Sequence, residues 1–283
     1  SWEHKMFEEK IINLDSWIST FVEWLVENYR EVFQVIKWPV EQTLAGFDTG
    51  LNSLHPVIVI VVMGLAAWKF SGRGLALFST LALVFIGLLG LWEDTMTTLA
   101  MVLSSVLFCC IVGVPLGIAS GRNDTVEKVL RPFLDAMQTT PSFVYLVPIV
   151  MLFSVGNVAG VLATIIFAMP PIIRLTSLGI RGVHPELVEA ALAFGATRSQ
   201  VLIKVQVPLA MPTILAGLNQ TIMMALAMVV IAALIGAGGL GSPVVLGLNT
   251  LDIGLAVIAG LSIVLLAMVL DRITQSMAQK NNQ

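Results

Sequence analysis

Charge is what this sequence has least of. Lys, Arg, Asp and Glu make up 12% of its 283 residues, about half the share usual in a soluble domain. None of the four falls between Gln138 and Ile173, and none between Val205 and Leu251. Uncharged stretches of that length exceed the roughly 20 residues a membrane-crossing helix needs. Several in one chain argue against a buried core helix of a soluble protein. Cysteine is nearly absent too. Cys109 and Cys110 are adjacent in an apolar run, so on a helix they point in different directions, and no ligand-like residues accompany them; they read as small packing residues without metal or redox roles. The chain lacks a G-x-x-x-x-G-K-[ST] phosphate cradle and any cluster of His, Asp and Glu, so no catalytic residue and no metal site is expected. Its N-terminus shows no basic region leading into a short apolar run and a small-residue cleavage site, and no removable signal is expected there. Gly236-Ala-Gly-Gly-Leu-Gly241 is superficially like a dinucleotide loop, but it follows a membrane span without strand–helix context and reads as a flexible turn.

What remains is hydrophobic: 57% of the residues, with mean hydropathy +0.92. Seven candidate spans stand out, at about 55–69, 74–92, 94–118, 138–155, 158–178, 209–236 and 251–270. The scarce basic residues orient them. Lys69 and Arg73 lie after the first span, and Arg122, Lys128 and Arg131 after the third. Arg174, Arg181, Arg198 and Lys204 lie in or beside the segment before the sixth, and Arg272 and Lys280 follow the seventh. The alternate loops, around Glu93–Asp94, Gly156–Gly160 and Ala237–Thr250, hold no Lys or Arg. Positive residues are retained in the cytoplasm, which predicts a multi-pass protein with a cytoplasmic C-terminus and an external N-terminus.

On this reading residues 1–54 form an external segment carrying half of the acidic residues. Trp17, Phe21, Trp24, Leu25, Val32 and Val35/Ile36 recur at helical spacing, with Glu23, Glu27, Arg30, Glu31, Gln34 and Lys37 on the other face. The pattern predicts an amphipathic anchor helix over about 16–37, lying in the interface. Gly113, Gly117 and Gly121 fall every fourth residue on one helix face, the spacing that lets two helix backbones approach, within the subunit or between copies. Pro115, Pro141, Pro148 and Pro170–Pro171 would bend their helices.

The segment 179–208, GIRGVHPELVEAALAFGATRSQVLIKVQVP, is too polar to span and too apolar to be a free loop. Pro185 and Glu186 mark a helix start and Gly195 its stop. A second short helix is expected at about Thr197–Val205, with Pro208 opening the next span. Two short helices at a glycine elbow make a rigid knob. Ala190 and Ala191 keep its surface small, Glu186 and Glu189 offer acceptors, and Arg198 and Lys204 offer cationic donors.

Glu189-Ala190-Ala191-x-x-x-Gly195, nine residues, then Val205-x-Val207-Pro208 resembles the EAA---G---------I-LP signature of ABC importer permeases, with valine at both aliphatic positions. Over about 94–272, stretches such as LRPFLDAMQTTPSFVYLVPIVMLFSVGNVAG and VQVPLAMPTILAGLNQTIMMALAMVVIAALIGAGGLG are similar to permeases of glycine betaine/proline betaine importers. The resemblance implies an all-α polytopic membrane protein with a type I ABC importer (MetI-like) core over 94–272. Two accessory helices over 55–93 precede that core, and a cytoplasmic tail over 273–283 follows it. It implies that 179–208 docks an ATPase, with Glu186, Glu189, Ala190, Ala191, Gly195, Arg198 and Pro208 as coupling residues. The implied partners are a second copy of the permease, two ABC ATPase subunits, an external substrate-binding protein and the lipid bilayer, and no nucleic acid. The chain itself would bind no cofactor; ATP and Mg would be used by the ATPase. A quaternary ammonium solute suits aromatic faces, which makes Phe143 and Tyr145 path candidates, with Gln138, Asn219, Gln220 and Thr221 as polar neighbours. Choline, carnitine or proline is the alternative cargo. An ion-coupled secondary transporter is the rival class, disfavoured because the fourth to sixth spans hold no interior carboxylate or histidine.

Overall fold

The structure, a computed structural model, describes residue 7 and residues 9–280. The first residues of the expected external segment (1–6 and 8) and the last of the expected tail (281–283) lie outside the described residues. Among the described residues every regular element is helical. In chain order they are α1 Leu14–Asn28, α2 Arg30–Ser53, α3 Pro56–Ser71, α4 Arg73–Leu88, α5 Trp92–Arg122, α6 Asp124–Thr139, α7 Ser142–Phe153, α8 Asn157–Arg181, α9 Pro185–Ala193, α10 Arg198–Ile235, α11 Gly241–Thr250 and α12 Ile253–Lys280.

The expected seven spans are corrected to between four and six. Only α5, α8, α10 and α12 are long and apolar enough to cross alone; α2 with α3 and α6 with α7 add at most two, each pair bent, by 106° and 105°. Length is the reason for the shortfall. At 16 residues each, α3 and α4 reach about 24 Å against roughly 30 Å of hydrocarbon. The predicted span 138–155 breaks at Pro141, whose ring holds Thr140 extended (ψ 127°) and ends α6. The other prolines interrupt nothing: α5 runs through Pro115 and α8 through Pro170–Pro171.

At the centre of the bundle α8 lies between α5 and α10. Val161, Ala163 and Ile172 of α8 share one core with Ala100, Met101 and Cys109 of α5 and with Ala225, Met228 and Val229 of α10. The three spaced glycines of α5 all face α8. A Cβ added at Gly113 would lie 2.5 Å from Ile172 Cγ2, one at Gly117 2.5 Å from Thr176 Cβ, and one at Gly121 2.8 Å from Ile180 Cβ. The polar groups of this dry core are satisfied locally. Thr95, Ser104, Ser105 and Thr164 donate to carbonyls one turn back, which lets these hydroxyls lie inside; the buried Thr176 hydroxyl, packed against Gly117, is the exception and has no partner among the described residues.

At the N-terminus two helices replace the single one expected over 16–37. α1 buries none of its residues, and it ends beside Tyr29, whose ring meets Trp24 edge-on at 5.5 Å. α2 continues through Pro39 to Ser53 and packs on the bundle. Its Val40 and Leu44 join the core, Phe33 meets Phe153 edge-on at 5.6 Å, and Asp48 accepts from the Thr97 hydroxyl at 3.1 Å. The 236–241 turn also differs from expectation, because it is pinned and not flexible. Gly238 N–H donates to Asn157 Oδ1 at 2.6 Å and Leu240 N–H to Thr98 Oγ1 at 2.8 Å, with Leu240 fully buried. Glycine is needed at 239 (φ +85°), where a Cβ would sit 2.4 Å from Thr98 Oγ1.

Candidate coupling knob and translocation path

The first candidate site is the turn between α8 and α10. Pro185 opens α9 at the first helical position with Glu186 in the first turn, where a carboxylate meets the positive end of the helix dipole. The helix ends in two bonds, Gly195 N–H to Leu192 O at 3.0 Å and Ala196 N–H to Ala191 O at 3.1 Å. Gly195 takes φ +85°, so the elbow is a left-handed glycine stop closed by paired hydrogen bonds. Thr197 then caps the next helix in a reciprocal pair with Gln200. The knob is therefore locked at both sides of its elbow.

The second short helix does not exist as a separate element. Arg198–Val201 leads through a π turn at Leu202–Gln206 directly into Val207–Ile231. Pro208 has no N–H to give and would crowd the carbonyl one turn back; the wider π turn before it absorbs that conflict and lets the helix continue. The knob is thus one short helix, α9, joined through the locked elbow to the base of a 38-residue rod. Displacement of α9 would act directly on α10, which packs along central α8.

No residue of α9 is buried. Glu186, Glu189, Ala190, Gly195, Arg198 and Pro208 are exposed and Ala191 is half-buried. Sequence reasoning missed Phe194, which is 95% exposed at the tip, with Leu187 and Leu192 exposed beside it. The available signal was an aromatic next to the stop glycine, in a segment with no core of its own to join. An apolar tip on a rigid helix that also carries two exposed carboxylates, with an exposed arginine just past the elbow, has the composition of a docking surface.

The second candidate site is the break between α6 and α7. Tyr145 lies in the first turn of α7, where its hydroxyl donates to the Met137 carbonyl across the break. Its ring meets Phe167 of α8 edge-on at 6.1 Å. Phe143 is 60% exposed, and Gln138 is exposed on the last turn of α6. Irregular backbone at membrane depth is tolerated where it is buried in protein or lines a cavity. The three polar residues of α10 do not act together. Asn219 donates to Asp271 Oδ1 at 3.1 Å and accepts from Thr274, both on α12. Thr221 is fully buried and donates to Ala168 O on α8 at 2.9 Å. Gln220 alone of the three is exposed.

The break is held from the knob end of the bundle by an ion-pair network that the sequence reading did not single out. Arg181 of α8 bonds Asp124 and Glu127 of α6, each at 2.7 Å, and donates to Ser120 O at 2.6 Å. Arg174 pairs with Asp135, and Arg131 reaches Glu127 at 3.0 Å. Of these groups Ser120, Glu127, Arg131, Arg174 and Arg181 line a cavity of about 290 Å³ between α5, α6 and α8. The signal was present as two arginines seven residues apart on α8, one helical face, but their partners sit some forty to sixty positions upstream.

The family model described as "Binding-protein-dependent transport system inner membrane component" matches residues 113–283. The chain is 52% identical over 273 residues to the glycine betaine/proline betaine transport system permease protein ProW of Escherichia coli K12, covering 96% of this chain and 77% of that one. It is 46% identical to the glycine betaine transport system permease protein OpuAB of Bacillus subtilis 168, covering 93% of each. Among solved structures, an inward-facing form of the MetNI methionine ABC transporter superposes with a TM-score of 0.61 at 22% identity, covering 71% of this chain and 98% of that one. The fold is therefore the MetI-like permease fold. The chain belongs to the family of binding-protein-dependent inner membrane transport components: it is an ABC importer permease of the ProW-like branch, a multi-pass subunit and not an enzyme.

Proposed function

We propose that this permease carries glycine betaine and related quaternary ammonium osmolytes inward, driven by an ATPase that docks on α9. The observation that carries the coupling role is the geometry at Phe194: an almost fully exposed aromatic on a locked elbow, at the base of a helix that reaches the core. Membership of a binding-protein-dependent system makes an ATPase subunit and a substrate-binding protein its partners. Relatives named for glycine betaine, proline betaine and carnitine transport support the cargo class. The basic residues gathered at the knob end support a cytoplasmic knob and C-terminus with the N-terminal helices outside. Gln220, exposed on apolar α10, supports pairing with a second copy, because an unpaired amide facing lipid would be costly. In that pair the α6–α7 break and Gln220 line the path, while Asn219 and Thr221 brace α10 against its neighbours.

The cargo is tested by radiolabelled glycine betaine uptake in proteoliposomes holding the permease with its ATPase and binding protein. Unlabelled glycine betaine and proline betaine should compete fully, with choline, carnitine and proline weaker. Equal competition by every solute, or none by glycine betaine, would remove the cargo assignment. For the path, Tyr145→Ala removes both the bond to Met137 and the contact with Phe167. Uptake should fall about ten-fold, the size of one such interaction, with solute binding to the external protein unchanged. An unaltered uptake rate would exclude Tyr145 from the path.

A further inference from the structure

The hairpin α3–α4 lies outside the shared core and packs on α12 through Ala67, Ala82, Val269 and Ile273. Its other side carries an apolar groove of about 560 Å³. Ile60, Val61, Gly64, Leu65 and Trp68 of α3 line one wall at helical spacing, and Ala76, Leu77 and Thr80 of α4 the other. From Ile60 to Trp68 is about 12 Å along the helix, close to the depth of one leaflet of hydrocarbon, half of roughly 30 Å. Gly64 helps open the groove: a Cβ there would already lie 3.0 Å from Thr80 Oγ1.

Only one end of the groove is charged. Arg73 lines it beside Trp68. Lys69 follows Trp68 in sequence, and Lys280 of α12 donates to the Lys69 carbonyl at 3.4 Å. Lys69, Phe70 and Lys280 line a separate polar recess of about 290 Å³ with Ser276 and Gln279, between the end of α3 and the end of α12. Among the described residues no ion pair includes Lys69, Arg73 or Lys280. These three exposed cations are placed at the α3–α4 turn and the neighbouring end of α12. They sit at the end of a hairpin too short to reach through the hydrocarbon, where long basic side chains extend to the headgroup level. A groove with a tail-length apolar floor and a cationic mouth matches one occupant in shape and charge.

We propose that the α3–α4 groove binds one anionic phospholipid, its acyl chain along Ile60–Trp68 and its phosphate at Arg73, Lys69 and Lys280. The proposal rests on the membrane residence of the chain and not on its orientation or cargo.

Native mass spectrometry of the full permease, titrated with dioleoyl phosphatidylglycerol or dioleoyl phosphatidylcholine, tests it. Phosphatidylglycerol should bind about ten-fold more tightly, the scale expected for several cations beside a headgroup. The Lys69→Gln/Arg73→Gln/Lys280→Gln variant should bring it to the phosphatidylcholine level with the thermal midpoint unchanged, and Arg73→Gln alone should show part of that loss. Ala76→Leu, which fills the groove, should weaken both lipids. Equal binding of the two lipids by the native chain, or an intact preference in the triple variant, overturns the proposal. So would displacement of phosphatidylglycerol by glycerol phosphate alone, which would make the site one for a free phosphate. Efficient disulfide formation between two Leu65→Cys chains in membranes would assign the groove to a second copy and overturn it as well.

Discussion

Replacing Gly117 with valine will strip the membrane of folded permease. Gly117 is buried in the middle of the α5–α8 seam. A Cβ there would lie 2.5 Å from Thr176 Cβ, 2.9 Å from Thr176 Cγ2 and 2.8 Å from the Ile173 carbonyl oxygen. Two of those atoms are fixed by helix α8 itself, so no side-chain rotation relieves the contact and the two helices must separate. Separation would open the seam at Gly113 and Gly121 and disturb central α8, which packs against both α5 and α10. Overpacking ordinarily costs about 1–3 kcal/mol, and a contact against backbone, with valine's two further methyls, belongs at or above the top of that range. Gly113→Ala should be milder, since its closest contact is the Ile172 Cγ2 methyl. Gly260→Val is the control, because nothing lies within 4 Å of a Cβ at that position. The readout is the monodisperse fraction and thermal midpoint of detergent-extracted protein. A Gly117→Val protein that melts with the native chain would show that α5 and α8 do not meet as described.

That seam also shows where sequence reading stops. The spacing of Gly113, Gly117 and Gly121 announced a close helix contact, but small residues carry no information about which helix fills the notch. The answer lay in Ile172, Ile173, Thr176 and Ile180, whose own spacing resembles any apolar helix. The long uncharged runs located α8 and α10 well, because exclusion of charge from lipid is a strong local signal. The amphipathic helix expected over 16–37 ended short of Pro39, yet α2 runs through that proline to Ser53; a proline within a helix persists when the flanking turns are packed, and here Val40 and Leu44 supply that packing.

In the coupling knob, local chemistry specified local structure. Pro185 and Gly195 bounded α9 within a residue, because a first-turn proline and a left-handed glycine are backbone requirements and not preferences. Pro208 misled for the same reason: its cost was visible, but the π turn that relieves it was not. At 219–221 the difficulty was geometric. Three polar residues in a row look like a cluster on paper, yet each helical step rotates about 100°. Asn219 therefore faces α12, Thr221 faces α8, and only Gln220 is left open. The glycines of 236–241 looked like mobility. They allow close approach instead, letting the backbone pass against Thr98 and Asn157.

Gly195→Asp should abolish ATP-driven uptake while leaving the permease folded. A side chain at this elbow obstructs nothing within the chain, since no atom lies within 4 Å of a Cβ there. The intramolecular cost is left-handed strain, roughly 1–2 kcal/mol for a residue with a Cβ and less for aspartate, which tolerates that region. Confined to an exposed elbow, it leaves the buried α5–α8–α10 core untouched. The damage must therefore arise against the docked partner, where a carboxylate is introduced beside Phe194, on a knob that already carries Glu186 and Glu189. Gly195→Asn separates the two causes, since it has the same shape and strain without the charge, and it should retain more uptake than aspartate. Phe194→Ala reports the apolar part: burying such a side chain is worth about 1.5–3 kcal/mol, so the ATPase should bind roughly 10- to 150-fold more weakly. The measurements are co-purification of the ATPase and uptake in proteoliposomes, with the thermal midpoint of the isolated permease as reference. Native co-purification and uptake in Gly195→Asp would detach the knob from coupling, because among the described residues no other exposed element combines a locked elbow, an apolar tip and direct continuity with α10.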